Sequence, residues 1–400
     1  MTRATIRQFR EWFWRPPRAH GDVVRDRSVS FLELLYDLVY VAVISQAAGA
    51  LADDVSVSRL LEFAVVFTLI WIAWVNGSLY LELHGREDGR TRSFVFFQMG
   101  VLALLAVFAA TAAGDGGSRF AIVYAAFLGV QAWMWNSVRG QDTPEVARVT
   151  LQYVVLLVLS AVVTLGSAFL DPGTRLIVWA GFGLLWIGAM AALGMRSRSF
   201  SIGVTPTHSM VERFGLFVII VLGEVVFGVV EGLSHAEQDL ITIGTGSLAL
   251  VIGLGFWWIF FDIVGRRAPR NTGRAIAIWI LAQLPVTLSI AAAGAAMVSL
   301  LEHAHDPIAP EATAWLLAGS VAVVLVAQIV IAWVLADSER LPAVYRSLSI
   351  GMGVAAAAAL VIGWVRPAPW ILALVLGLIL LVLWFVAVVV FIRARAWPPA

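Results

Sequence analysis

The stretch T-H-S-M-V-E-R-F-G-L-F-V-I-I-V-L-G-E-V-V-F-G, residues 207–228, decides the fold class. Beyond Arg213 it is almost wholly apolar, and with its flanks it reaches the about 20 residues a helix needs to cross a bilayer core of about 30 Å. One acid, Glu224, interrupts it. Glu224 follows Glu212 by twelve residues, about 18 Å along a helix, which sets it near mid-bilayer beside Gly223. A carboxyl there must be protonated, paired or turned to a wet cavity. Function is the first reading, and a neutral Glu bonding two helices together is the second. On the same helix His208 and Glu212 lie one turn apart on one face, while Arg213 and Glu224 return to another.

The rest of the chain agrees. Of 400 residues 60% are hydrophobic and 13% charged, with a mean hydropathy of +0.89, which is too apolar for a soluble globule. The 27 basic residues are all Arg and face 26 acids, so the balance gives no support for nucleic-acid binding. With no Cys, disulfides, thiolate nucleophiles and Cys-ligated metals are excluded. No phosphate loop or nucleophile elbow is present.

Apolar segments begin near residues 31, 59, 93, 118, 146, 174, 208, 240, 274, 312, 344 and 369, which predicts an all-α polytopic membrane protein of about twelve spans. The third and fourth are separated only by the G-D-G-G-S turn, residues 114–118. Residues 1–29 are polar and Arg-rich, and the first apolar run, from near Phe31, has no small-residue cleavage site after it, so the first span is expected to be retained. Their Phe9, Trp12, Phe13 and Trp14, among Arg7, Arg10 and Arg15, fit an amphipathic helix on an anionic leaflet. Twenty-two arginines fall in the N-terminal segment, the even-numbered loops and the C-terminal tail, against four at the odd-numbered loops. Both termini are therefore expected in the cytoplasm, and the protein in a cytoplasmic membrane.

A self-comparison sets Trp74–Arg86 (W-V-N-G-S-L-Y-L-E-L-H-G-R) beside Phe256–Arg266 (F-W-W-I-F-F-D-I-V-G-R), aligning Glu82 with Asp262, and at nearly the same offset Glu33 with Glu212. The expectation is two six-helix halves in parallel orientation, 30–200 and 201–393, between an N-terminal segment, 1–29, and a tail, 394–400. Chance similarity of two Trp-rich helix ends is the alternative.

The first span, F-L-E-L-L-Y-D-L-V-Y-V, carries Glu33 and Asp37 four residues apart with Tyr40 beside that stripe. Two such carboxylates can share a proton. Glu33 equally suits a cap or a headgroup anchor paired with Arg25 or Arg27, whereas Asp37 lies a turn deeper. Glu33, Asp37, His208 and Glu212 also form a weak metal-ligand set, at i, i+4 spacing within each helix. His84, His235, His303 and His305, at helix ends or in loops, are expected to be solvated. Trp71, Trp74, Trp133, Trp135, Trp257 and Trp258 suit either a ligand cavity or interfacial anchoring.

The blocks S-F-L-E-L-L-Y-D-L-V-Y-V (residues 30–41), W-x-x-W at Trp71 and Trp74, Arg92 with Gln98-Met99, and H-S-M-V-E-R-F-G-L-F-V-I-I-V-L-G-E (residues 208–224) resemble the bacterial low temperature requirement protein A (LtrA) family. The resemblance is traceable over residues 28–300. It implies a polytopic inner-membrane protein linked by its name to growth in the cold, and it supplies no mechanism. Where members often carry a His before the Leu-Pro of the ninth span, this chain has Gln283.

These features suit a secondary carrier first. Glu33, Asp37 and Glu224 would carry protons or ions, Arg213 would counter a carboxylate or an anionic group, and Tyr40, Trp71, Trp74 and Trp258 would shape a cavity. Its partners would be the bilayer and a small molecule or ion, with no cofactor predicted. One alternative is a membrane enzyme acting on a lipid or prenyl-type substrate through Glu33, Asp37, His208 and Glu212. The other is a structural or sensory protein without transport.

Overall fold

The computed structural model describes residues 13, 15–19, 21, 28–86, 88–196 and 206–395. The expected N-terminal amphipathic helix, together with Arg25 and Arg27, lies almost wholly outside them.

Among the described residues twelve long helices follow one another: α1 (Phe31–Ala52), α2 (Val57–His84), α3 (Gly89–Ala109), α4 (Gly117–Asn136), α5 (Pro144–Ser167), α6 (Pro172–Arg196), α7 (His208–His235), α8 (Leu240–Ile259), α9 (Gly273–Glu302), α10 (Glu311–Val334), α11 (Pro342–Val365) and α12 (Pro369–Arg393). A π-helical turn, Phe260–Gly265, extends α8, and a one-turn helix, Asp337–Arg340, precedes α11. There is no strand among the described residues, only an isolated bridge between Pro269 and Leu335.

Every helix starts within four residues of its apolar run. The largest offset, at α3, has a local cause. Asp88 accepts the Thr91 N–H at 2.8 Å, so the polar G-R-T-R turn is already helical before the apolar run begins. Thr207, Asp239 and Thr272 cap α7, α8 and α9 in the same way, and prolines open α5, α6, α11 and α12.

Eleven of the helices are long and apolar enough to cross a membrane. The twelfth, α4, is 20 residues long and less apolar, because its buried stripe carries Tyr124 and Gln131. Leu159, Val162, Ile177, Leu184, Val354 and Val382 are exposed, an outward apolar surface that lipid covers in a membrane protein.

By its contacts the chain forms two compact units. One holds α1 as far as Ala47 and Val65–Gly188; the other holds Ala48–Ala64, the end of α6 from Ala189 and the chain from Pro206. In the first, α4 rests against α3 and α5. In the second, α9 rests against α7 and α10, α10 against α11, and α12 against α8 and α11. The α7–α9 contact is made at glycines. A Cβ on Gly228 would strike the Gly294 carbonyl, and one on Gly294 would stand 2.5 Å from the Glu224 carbonyl oxygen.

Candidate functional site

In the first unit the polar stripe of α1 points inward. Glu33 is 4% exposed and Asp37, Tyr36 and Tyr40 are fully buried. Glu33 closes a capping box: its carboxylate accepts the Ser30 N–H at 2.9 Å, and its own N–H donates to Ser30 Oγ at 3.3 Å. That geometry gives Glu33 a structural task at the helix start. Asp37, one turn on, is different. Trp74 Nε1 donates to its Oδ1 at 2.9 Å, while Tyr36 and Tyr40 touch hydroxyl to hydroxyl at 3.1 Å, their rings edge to face. Tyr124 Oη donates to the Leu69 carbonyl at 2.8 Å and so fixes α4 against α2. Trp71 and Trp74 are wholly buried, which removes the interfacial-anchor alternative for both. Trp133, 55% exposed, retains it.

His84 corrects an expectation. It is 1% exposed rather than solvated, because residues 15–19 fold over the end of α2. Arg18 N donates to the His84 carbonyl, the Arg18 guanidinium donates to the Leu81 and Glu82 carbonyls, and His84 Nδ1 lies 2.9 Å from the Arg18 carbonyl. The terminal carbonyls of α2 thereby gain donors. Glu82 itself is half-buried. His84 begins a ladder of edge contacts through Trp135, Tyr153 and Trp186.

In the second unit His208 is exposed, Glu212 is half-buried, and Arg213 and Glu224 are buried at 2% and 5% exposure. The backbone of Glu224 lies at the α7–α9 crossing. Asp262 sits in the π-helical turn, where Trp384 Nε1 donates to it at 2.8 Å and Trp258 stacks on Trp384 with ring centroids 4.9 Å apart. Among the described residues no three His, Asp or Glu side chains gather as a metal site.

Two features escaped the sequence. Arg175, at an odd-numbered loop, is 4% exposed and donates to the Ser167, Gly114 and Leu170 carbonyls and to Ser118 Oγ. It ties the α3–α4 turn to the end of α5. Four glutamines, Gln98, Gln131, Gln283 and Gln328, are buried in helix interiors. A search for charges passes over them, although a Gln inside an apolar run such as L-G-V-Q-A-W is its own signal.

Fold and site together define a polytopic α-helical membrane protein with buried acids in its helices and indole groups bonded to Asp37 and Asp262. The model of the bacterial low temperature requirement A protein (LtrA) family matches residues 28–393. The chain belongs to that family, and the match runs well past residue 300, where the motifs fade. It is also 24% identical over 249 residues to an uncharacterized protein of Rhizobium meliloti (strain 1021), a stretch that is 60% of this chain and 59% of that relative. No solved structure matches the chain.

Proposed function

We propose that the chain is a secondary-carrier-like protein in which buried carboxylates couple the movement of protons or another cation to that of a small solute. The observation that carries this reading is Asp37, fully buried in a membrane helix and bonded to Trp74. Acids placed so are costly in a bilayer and commonly belong to ion pathways. Glu224, buried in α7, is a further such acid, in the second unit.

Two parallel six-helix halves, 30–200 and 201–393, suit this reading. In each six the fourth helix rests against the third and the fifth, which supports the repeat. The arginine distribution supports cytoplasmic termini in a cytoplasmic membrane. The link to cold growth in the family's description would then lie in a flux that the cell needs at low temperature.

The test is purified protein in liposomes with an entrapped pH-sensitive dye, challenged with a series of small polar solutes. Solute-dependent proton movement is expected in the wild type and lost in folded Asp37→Asn and Glu224→Gln. Movement that persists unchanged in both variants overturns the coupling role.

A further inference from the structure

Counted in two sixes, the third and fourth helices of each half carry one buried glutamine apiece: Gln98 in α3, Gln131 in α4, Gln283 in α9 and Gln328 in α10. All four are 2% exposed or less. Neither amide atom of Gln131 or of Gln328 has a hydrogen-bond partner, and Gln98 Nε2 and Gln283 Oε1 also lack one. A buried polar group left unbonded costs about 1–3 kcal/mol. A glutamine that serves only to join helices bonds to the neighbouring helix. Gln131 and Gln328 do not.

The register of the helices sets each pair at one depth. Arg90 bonds to Ser137 and Phe94 meets Trp133, so α3 runs antiparallel to α4 with Gln98 opposite Gly129, about 3 Å along the axis from Gln131. Ser299 touches Thr313 at 2.7 Å, which puts Gln283 opposite Ile329, about 1.5 Å from the level of Gln328. The local sequences correspond as well. L-G-V-Q ends at Gln131 and L-V-A-Q at Gln328, while Gly-Arg opens both α3 and α9.

Other groups surround these amides. A Cβ added at Gly77 would lie 2.5 Å from Tyr36 Oη and 3.1 Å from Gln131 Nε2, so hydroxyl and amide face the same bare stretch of backbone. Trp135 Nε1, one turn beyond Gln131, and Trp279 Nε1, one turn before Gln283, are buried indole donors without an acceptor. No ionisable residue lies within four positions of any of the four glutamines. A charged ligand would find no counter-charge beside the glutamines on their own helices, whereas a neutral one can satisfy the donors and acceptors together.

We propose that each half holds a binding site for a small uncharged solute that both donates and accepts hydrogen bonds, of the carboxamide or polyol class. Gln131 is its main contact in the first half, with Tyr36 and the level Gln98. Gln328 is its main contact in the second, with Gln283 at its level. The proposal names a substrate class for the carrier and rests on that reading only for movement across the membrane. Binding is measured without a gradient, so the two fail separately.

Acetamide and glycerol are suitable probes, titrated against the thermal stability of the full chain in lipid nanodiscs. A saturable stabilisation is expected in the wild type. Roughly half of it should be lost in Gln131→Leu, a similar share in Gln328→Leu, and all of it in the double variant. Glycerol also stabilises proteins through exclusion from their surface, so an unsaturable rise shared by all variants overturns the proposal. Density maps of the wild type with and without acetamide decide the matter even if the leucine variants fail to fold. New density larger than a water at both amides supports the sites. A water at each amide in both maps, or nothing at either, overturns them.

Discussion

In the first unit the buried acid Asp37 is held by a side chain, the Trp74 indole, in a region of rings and hydroxyls that includes Tyr36, Tyr40 and Tyr124. In the second, Glu224 belongs to the stretch where α7 and α9 meet backbone to backbone over Gly228 and Gly294. Gly363 against Ala318 and Gly255 against Leu380 repeat that close approach nearby. Rings keep helices apart and need polar partners. Glycine contacts bring helices together and tolerate no added atom. The first unit should therefore be sensitive to lost hydrogen bonds, and the second to added volume.

The largest effect is expected from Gly294→Val. Its Cβ would press on the Glu224 backbone, which cannot move aside as a side chain can. Ordinary overpacking costs about 1–3 kcal/mol, and this change should exceed it, abolishing the monodisperse peak in size-exclusion chromatography. Gly353→Ala, in α11, meets nothing within 4 Å and should instead gain about 1 kcal/mol of helix propensity. Equal behaviour of the two variants would break the contrast.

In the first unit Arg175→Ala should follow in size. It strips donors from three carbonyls and one hydroxyl at once, and a loss of about 2–4 kcal/mol is expected in chemical or thermal unfolding. Arg175→Lys should recover only part of it, since an ammonium lacks the planar fork that reaches several acceptors. Full recovery by Lys would show that charge alone suffices there.

How much of this was legible in sequence depends on what each feature needs. Span positions follow from local composition, so the twelve starts and the inward stripe of α1 could be read directly. Glu33 stood open between cap and function, and the S-x-x-E spacing from Ser30 was the signal for its capping box. Partners across helices were not legible. Trp74 reaches Asp37 only because α1 and α2 meet at one register, and Trp384 reaches Asp262 across more than a hundred residues. His84 was misplaced because a helix-end position suggests solvent, while tertiary contact buries it, and the contacts that bury Arg175 were out of sight for the same reason. The glutamines were visible but uncharged, and their significance lies in bonds they do not make.

The two indole–carboxylate pairs refine the comparison at a smaller scale. Trp74→Phe keeps most of the ring volume but removes a donor from a fully buried acid, so about 1–3 kcal/mol should be lost. Trp384→Phe does the same to Asp262, where both groups are half-buried and water can substitute. Thermal shifts in detergent should thus be larger for Trp74→Phe. Equal shifts would mean that water reaches Asp37 as well.

The smallest effect tests what the two units share. Asp171 caps α6 and Asp239 caps α8, each accepting a backbone N–H, from Thr174 and Thr242. Those bonds hold both carboxyls below their ordinary value of 3.8, and the nearby His305 lowers Asp239 a little further. A folded-state pKa below the unfolded one contributes stability that is complete above the unfolded value and disappears as pH falls through the folded one. The unfolding temperature should therefore decline below about pH 4, and Asp171→Asn or Asp239→Asn should flatten that decline, since Asn caps about as well as Asp without titrating. Asp239 also faces His305 Nε2 at 3.2 Å, an attraction present only while the imidazole is charged. Asp239→Asn also removes that attraction, so it should cost slightly more stability than Asp171→Asn. If the two variants cost the same, the exposed His305 pair contributes nothing to stability, as many surface ion pairs do not.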